Sequence, residues 1–458
     1  ENKEYDKAAA GFEETFALSR QLPQWDQYGP KSLAQLVWAY YLKSDMARTE
    51  DAANRFLKEF NSHPVAGDVV FVRSEALFQQ GKYEEAKLDY MDILSNYPDS
   101  KYRAEATFKI GQCYIELKQY AEAARIFHNY PDAFPDNPLV AEAVLQEAEA
   151  LFENKSYSEA AQAYQKYVVK YPETHSSEYA LYKMGQAFLQ QNEFDRLAET
   201  YAELLRRFPQ SSYRANALFW IAYQKDIAQK QDEALVDYEA LLKESPDSLY
   251  ASEARLRAGM IYYQKGKAQE AANHFRLLIE SAKTPETLTA PFYFWTGATL
   301  AAQKDYQSAI NVYQKLVERF PRQDYAEETS YEIGQCYAQL QNWTAAAESY
   351  DRVLRDFPQG AFADQAALGR ARIYLAQNNP DGALKVLDLA ARSSEPIVSA
   401  SAHILLGEAS EKKGLPDEAL RSYLFVALTY EHPTLVPEAY FRAGQILMKQ
   451  GKKQEAVE

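Results

Sequence analysis

An alanine that returns at a nearly constant interval constrains the fold of this sequence more than any other feature. The intervals are 44 and 34 residues at the start and 36 to 38 residues afterwards. A bulky residue, usually Tyr or Phe, follows four positions after each alanine except the last. A small residue lets two helices approach closely, and a large residue one turn later fills the space beside it. The alanines are Ala8, Ala52, Ala86, Ala123, Ala160, Ala234, Ala271, Ala309, Ala346, Ala383, Ala419 and Ala456, with Leu197 taking the place once.

A second small residue recurs in the helical pattern that precedes each alanine. It is most often glycine, which costs a helix interior about 1 kcal/mol relative to alanine. Glycine is therefore expected only where a neighbouring chain segment presses against the helix. Aromatic–proline pairs such as Tyr97-Pro98 and Phe357-Pro358 end the second helix of many copies. This small position is occupied by Gly111, Gly185, Gly259, Gly297, Gly334, Gly407 and Gly444, with Ser74, Ala222 and Ala371 as variants.

The order small, aromatic, small, aromatic, proline resembles that of the tetratricopeptide repeat family. It is present as Gly111, Tyr114, Ala123, Phe127 and Pro135. The resemblance covers nearly the whole chain and implies an all-α, right-handed superhelical solenoid of tandem helix-turn-helix repeats. The repeats exceed the family's 34-residue norm by about three residues. This longer style is similar to that of bacterial cell-envelope repeat proteins of the YbgF/CpoB and BamD types.

The register predicts four parts along the chain. Residues 1–30 are expected to hold the second helix of a truncated leading repeat and a loop, and residues 434–458 a truncated terminal repeat. Residues 31–285 and 286–433 are expected to be full repeats. The pattern is irregular at 21–31, 281–289 and 393–399. These segments are predicted to be loop insertions between repeats, with a hinge or an edge-binding loop as the alternative.

The sequence contains no motif of an enzyme or a metal site, so we expect no catalytic residue, cofactor or metal. Six histidines are scattered at surface or turn positions in the predicted pattern, without ligand spacing. Cys113 and Cys336 occupy the same slot of distant repeats, which indicates small core residues. A net charge of −15 repels phosphate and disfavours nucleic-acid binding. No apolar run is long enough to span a membrane.

The family resemblance directs the search for a binding surface to the first helices, which line the concave face of such proteins. Two registers matter there: the residues three before the small position, which are apolar in every full copy, and the residues one after it, often Gln or Glu. The stripe either packs in the core between repeats or forms the floor of a groove for an extended peptide or an amphipathic helix. The candidate groove residues are Phe71, Phe108, Tyr182, Phe219, Phe294, Tyr331, Gln112, Gln186 and Gln335.

These features favour a chain that holds other proteins or peptides. The first hypothesis is a non-catalytic interaction scaffold of a bacterial cell-envelope assembly, periplasmic or associated with the outer membrane, which binds partners through the groove and the repeat edges. The alternative is the non-catalytic repeat arm of a larger secretion, polysaccharide-export or enzyme complex. A cytoplasmic location is the alternative to the envelope. The partner and the oligomeric state are not encoded in the pattern.

Overall fold

The computed structural model describes residues 2–281 and 289–457, and these form α-helices and no strand. The all-α repeat solenoid predicted from the sequence is confirmed. The helices are α1 (Asn2–Ser19), α2 (Trp25–Leu42), α3 (Met46–Phe60), α4 (Ala66–Gln79), α5 (Tyr83–Asn96), α6 (Arg103–Glu116), α7 (Tyr120–Ala133), α8 (Val140–Glu153), α9 (Tyr157–Lys170), α10 (His175–Gln190), α11 (Phe194–Arg207), α12 (Arg214–Ile227), α13 (Gln231–Glu244), α14 (Ala251–Gln264), α15 (Ala268–Ser281), α16 (Ala290–Ala302), α17 (Tyr306–Arg319), α18 (Ala326–Gln339), α19 (Trp343–Asp356), α20 (Ala363–Ala376), α21 (Pro380–Ala390), α22 (Pro396–Lys412), α23 (Pro416–Thr429) and α24 (Leu435–Lys449).

Even-numbered helices are the first helices of the repeats and odd-numbered helices the second. The chain divides into two compact units, residues 1–237 and residues 238–458. Within each unit, a helix packs against its neighbours in the chain. This is the nearest-neighbour arrangement of a repeat protein, in which each repeat covers the apolar face of the one before it.

The turn between the first and the second helix of a repeat contains a residue with a left-handed backbone conformation. Lys118 and Lys155 have φ of 58° and 62°, and Gly81 and Gly414 take the same place in other repeats. The residue after this one closes the turn, as where the Gln119 N–H donates to the Tyr114 carbonyl at 2.8 Å. This pattern caps the carbonyls of the first helix. These are the turns of the helix-turn-helix repeats that the family resemblance implies.

The repeating alanines lie where the register predicts, with Ala86 and Ala160 completely buried. A Cβ atom built on Gly111 would lie 2.5 Å from a ring carbon of Phe127, so the glycine makes room for that ring. The first copy differs, because Ala9 and Phe16 are buried in α1 while Ala8 and Phe12 are only half-buried. Ala456 follows the end of α24 and is not in a helix.

The first irregular segment is mostly helical, so the loop predicted at 21–31 is wrong from Trp25 onward. Helix α2 begins at Trp25 and continues through Pro30. The Trp25 ring lies 5.3 Å from that of Phe16 and 5.4 Å from that of Phe60. This aromatic packing orders a segment whose Pro and Gly residues indicate a loop. In the second irregular segment, 282–288 lie outside the described residues, and in the third α22 already begins at Pro396.

Candidate protein-binding face

The predicted aromatic stripe lies at the joints between consecutive repeats. Phe108, Phe219 and Phe294 are 4–6% exposed, so their rings are not available to a partner. Phe71 and Tyr182 are half-buried, as is Tyr331. Of the two interpretations left open by the sequence, the core between repeats therefore describes the three buried rings. A role in partner binding stays a prediction for the three half-buried ones.

Each half-buried ring contacts the aromatic residue that precedes the next first helix. The Phe71 and Tyr102 rings are stacked 4.1 Å apart, and those of Tyr182 and Tyr213 are stacked 4.0 Å apart. The Tyr331 and Phe362 rings lie 5.5 Å apart and are tilted by 34°. Because aromatic pairs in offset contact stabilise beyond their buried area, these stacks fix one repeat against the next.

The polar residues that directly follow the small position form hydrogen bonds with tyrosine hydroxyls. The Tyr164 hydroxyl donates to Glu149 Oε1 at 2.5 Å, and the Gln186 amide donates to the Tyr201 hydroxyl at 3.1 Å. In both cases the tyrosine is fully buried and belongs to the second helix of the same repeat. Burial and the Glu149 carboxylate raise the pKa of Tyr164 far above its ordinary value. These positions therefore satisfy buried polar groups that would otherwise be costly.

The other two predicted glutamines differ. Gln335 donates to the Tyr331 hydroxyl at 2.5 Å, one turn away on the same helix. Gln112 is half-buried on α6. A role for it at a groove rim stays a prediction.

Sequence reasoning missed the cations of this face. Lys109 lies 3.6 Å from Glu75 of the preceding repeat, and Lys183 lies 3.7 Å from Glu149. Both lysines sit two residues before the small position. The Lys183 ammonium also lies 3.9 Å from the centre of the Phe152 ring. The signal for these lysines in the sequence is the charge at the position two before the small residue.

A cavity of about 290 Å³ opens on this face between α6, α8 and α10. Leu145 and Tyr179 contribute apolar surface, and Gln146, Glu149 and Glu153 contribute polar groups. Glu153 is exposed at its edge. An apolar floor with a few polar groups is the usual composition of a ligand site.

In the second unit the same register carries a different set of residues. The position two before the small one is Trp295 in α16 and Glu332 in α18. The Trp295 ring contacts Tyr263 of the preceding repeat edge to face, at 5.5 Å. Burial, and then the neighbouring Glu328 carboxylate, raise the pKa of Glu332 to about 6.

This raised pKa predicts a pH-dependent stability. The folded chain binds the Glu332 proton more tightly than the unfolded chain, whose ordinary pKa is 4.5. Stability is therefore lost as pH rises from about 4.5 through 6, by about 2 kcal/mol. We expect Glu332→Gln to equal the wild type at pH 4.5 and to exceed it at pH 7.5, measured by urea unfolding. Glu153→Gln, which removes an exposed carboxylate, is the control and should show no such crossover.

Histidine and cysteine positions form no metal site among the described residues. Burial raises the pKa of the Cys113 and Cys336 thiols to about 12, as befits small core residues. The surface or turn placement predicted for every histidine is wrong for His274. It is 9% exposed and lies 3.0 Å from Glu239, with Tyr262 stacked on its ring at 5.4 Å. Among the described helices, none has both the length and the hydropathy that a membrane span requires.

Family models match two parts of the chain. A model described as YfiO, outer membrane lipoprotein, matches residues 1–114 and 105–271, together more than half of the 458 residues. Models described as tetratricopeptide repeat match residues 297–361, 331–396, 368–434 and 437–458. No curated protein matches the sequence.

Three solved structures that the chain is similar to are distant from it in sequence. A tetratricopeptide repeat protein from Parabacteroides merdae is 17% identical, with a TM-score of 0.37, over 59% of this chain and 98% of that one. The C-terminal part of a repeat protein from Cytophaga hutchinsonii is 15% identical, with a TM-score of 0.44, over 56% and 98%. Yeast Tom70 is 15% identical, with a TM-score of 0.37, over 100% and 95%. Similarity at this level indicates no shared function.

Proposed function

We propose a function on one premise: this chain belongs to the tetratricopeptide repeat family, as a member of its YfiO outer-membrane-lipoprotein type. Its repeats make a protein-interaction scaffold. The finer proposal is that the chain organises a protein assembly of the bacterial cell envelope, on the periplasmic side and in association with the outer membrane. The family description supports this location.

The observation that carries the proposal is the cavity between α6, α8 and α10. Its floor is formed by Leu145 and Tyr179, and carboxylates and an amide surround it. An amphipathic helix or an extended peptide needs this combination: apolar side chains enter the floor, and polar groups bond the rim. The stacked rings at the joints between repeats keep the face rigid, which reduces the entropy lost on binding.

Affinity capture of the intact protein from its native bacterium tests the proposal. Wild type is expected to fractionate with the cell envelope and to retain a set of envelope proteins. Glu153→Lys, at the edge of the cavity, should reduce that retention several-fold, because reversal of a rim charge opposes a partner selected for the native sign. Glu122→Lys makes the same charge change on the exposed surface of α7 and is the matched control.

Three results would contradict the proposal: a cytoplasmic fraction, capture of cytosolic chaperones alone, or equal loss of partners in the two variants. Stoichiometric capture of one enzyme or one export complex would instead favour the alternative, a repeat arm of a larger machine.

A further inference from the structure

We propose that the first-helix face between α14, α16 and α18 binds a cationic side chain, the ammonium of a lysine or the guanidinium of an arginine, presented by a protein partner. This inference rests on the proposed scaffold function and specifies the chemistry of one contact. The surface is called the acidic pocket and comprises Glu328, Glu332, Tyr263, Trp295, Ala298 and Tyr313.

Two repeats of the first unit show how a carboxylate at this joint is neutralised within the chain. A lysine two before the small position lies near the glutamate of the preceding repeat, as Lys183 does with Glu149 at 3.7 Å. The lysine also covers an aromatic ring four after the preceding small position, as Lys183 covers Phe152 at 3.9 Å. Cation, carboxylate and ring thus form one unit across the joint, and it recurs with Lys109, Glu75 and Phe78.

The charge at this register is reversed in α18. Glu332 takes the place of the lysine. In the preceding repeat, the positions of the glutamate and of the aromatic ring are occupied by Ala298 and Ala301. Ala298 and Ala301 are smaller than Glu149 and Phe152, which take these positions in α8. No lysine or arginine is among the described groups that act on the Glu332 or Glu328 carboxylate. The pocket therefore has two carboxylates, one turn apart on α18, and lacks the cation that Lys109 and Lys183 provide in the first unit.

Tyr313 is a second and independent observation. Its side chain is completely buried, and among the described residues its hydroxyl has no hydrogen-bond partner. The equivalent hydroxyl of Tyr164 is held by Glu149, but here that position is Ala298. Burial raises the pKa of this hydroxyl most, and the Glu332 and Glu328 carboxylates raise it further. The oxygen of this buried, unpartnered hydroxyl lies next to two carboxylates and can accept a hydrogen bond from a cationic group, whose N–H groups only donate.

Aromatic rings complete the pocket and favour a cation over a neutral donor. Tyr263 and Trp295 contact each other edge to face. Burial, and then the same two carboxylates, raise the pKa of Tyr263. Ring faces next to carboxylates attract a lysine or arginine side chain through its charge and its methylene groups. An anionic group would be repelled by both glutamates.

Fluorescence anisotropy with labelled nine-residue peptide pools tests the inference. The pools have randomised flanks and a fixed central residue, either arginine or citrulline, which has nearly the same shape without the charge. We expect wild type to bind the arginine pool at least about 10-fold more tightly. The double variant Glu328→Gln, Glu332→Gln should bind both pools equally. Glu318→Gln with Glu348→Gln removes two exposed carboxylates from α17 and α19 and should keep the preference.

The inference is wrong if wild type shows no preference for arginine, or if the control variant loses as much affinity as the pocket variant. Capture of envelope proteins by the same three proteins separates the two proposals. If all three capture the same partners equally, the cationic contact is wrong and the scaffold function stands. If none captures envelope proteins, the scaffold function fails, while the peptide measurement still decides whether the pocket prefers a cation.

Discussion

Replacing Tyr164 by alanine is expected to lower the free energy of unfolding of its repeat by about 3–5 kcal/mol. The ring is completely buried in a cluster with residues of α8, α9 and α10. Its loss leaves a cavity and also removes the hydrogen bond to Glu149. Because repeat arrays can unfold in parts, hydrogen exchange resolved by segment is the appropriate measurement. Exchange should accelerate first in α8, α9 and α10.

Phenylalanine substitutions separate the hydroxyl from the ring. Tyr164→Phe should cost about 1–2 kcal/mol, because Glu149 loses a hydrogen bond in a partly buried place. Tyr313→Phe should be nearly neutral, because its buried hydroxyl has no described partner to lose. Equal costs for the two changes would show that the Glu149 bond contributes nothing. Uniform acceleration of exchange over the whole chain by Tyr164→Ala would contradict the nearest-neighbour arrangement.

Replacing Gly185 by alanine is expected to cost about 3 kcal/mol, at the upper end of overpacking effects. The added Cβ atom would lie 2.2 Å from a ring carbon of Tyr201. That ring is fully buried and its hydroxyl accepts a hydrogen bond from the Gln186 amide, so the ring cannot move without losing contacts. The change should be measured by urea unfolding.

Gly11 offers the matched control for this substitution. It lies inside α1, and a Cβ atom there would meet nothing within 4 Å. Gly11→Ala should therefore stabilise by up to about 1 kcal/mol through helix propensity alone. If both substitutions stabilise, close approach of Tyr201 is not the reason for the glycine in α10.

The positions of the helices follow from the sequence because small and large residues alternate at fixed helical spacing. Ala160 and Gly111 lie where that spacing places them. The sequence does not predict the helical start at Trp25, because Pro and Gly indicate a loop locally. The aromatic packing with Phe16 and Phe60 that orders the segment is tertiary. Tertiary contacts of this kind override local preference.

The binding face was less predictable than the helices. Whether Phe108 faces a groove or the next repeat depends on the rotation of one helix against another, which the pattern of apolar residues does not specify. The charged register of Lys183 and Glu332 is visible in the sequence, but its meaning depends on contacts across the joint. Those contacts show that Lys183 has a carboxylate partner, whereas Glu332 has no described cation.

The most direct test of the scaffold is photo-cross-linking in the living cell, with a photoreactive residue at position 153 or at position 169. Glu153 is exposed at the cavity of the first-helix face, while Val169 is 70% exposed on α9. We predict cross-links to envelope proteins from position 153 and few or none from position 169. Cross-links from position 169 alone, or from either position only to cytosolic proteins, would contradict the account.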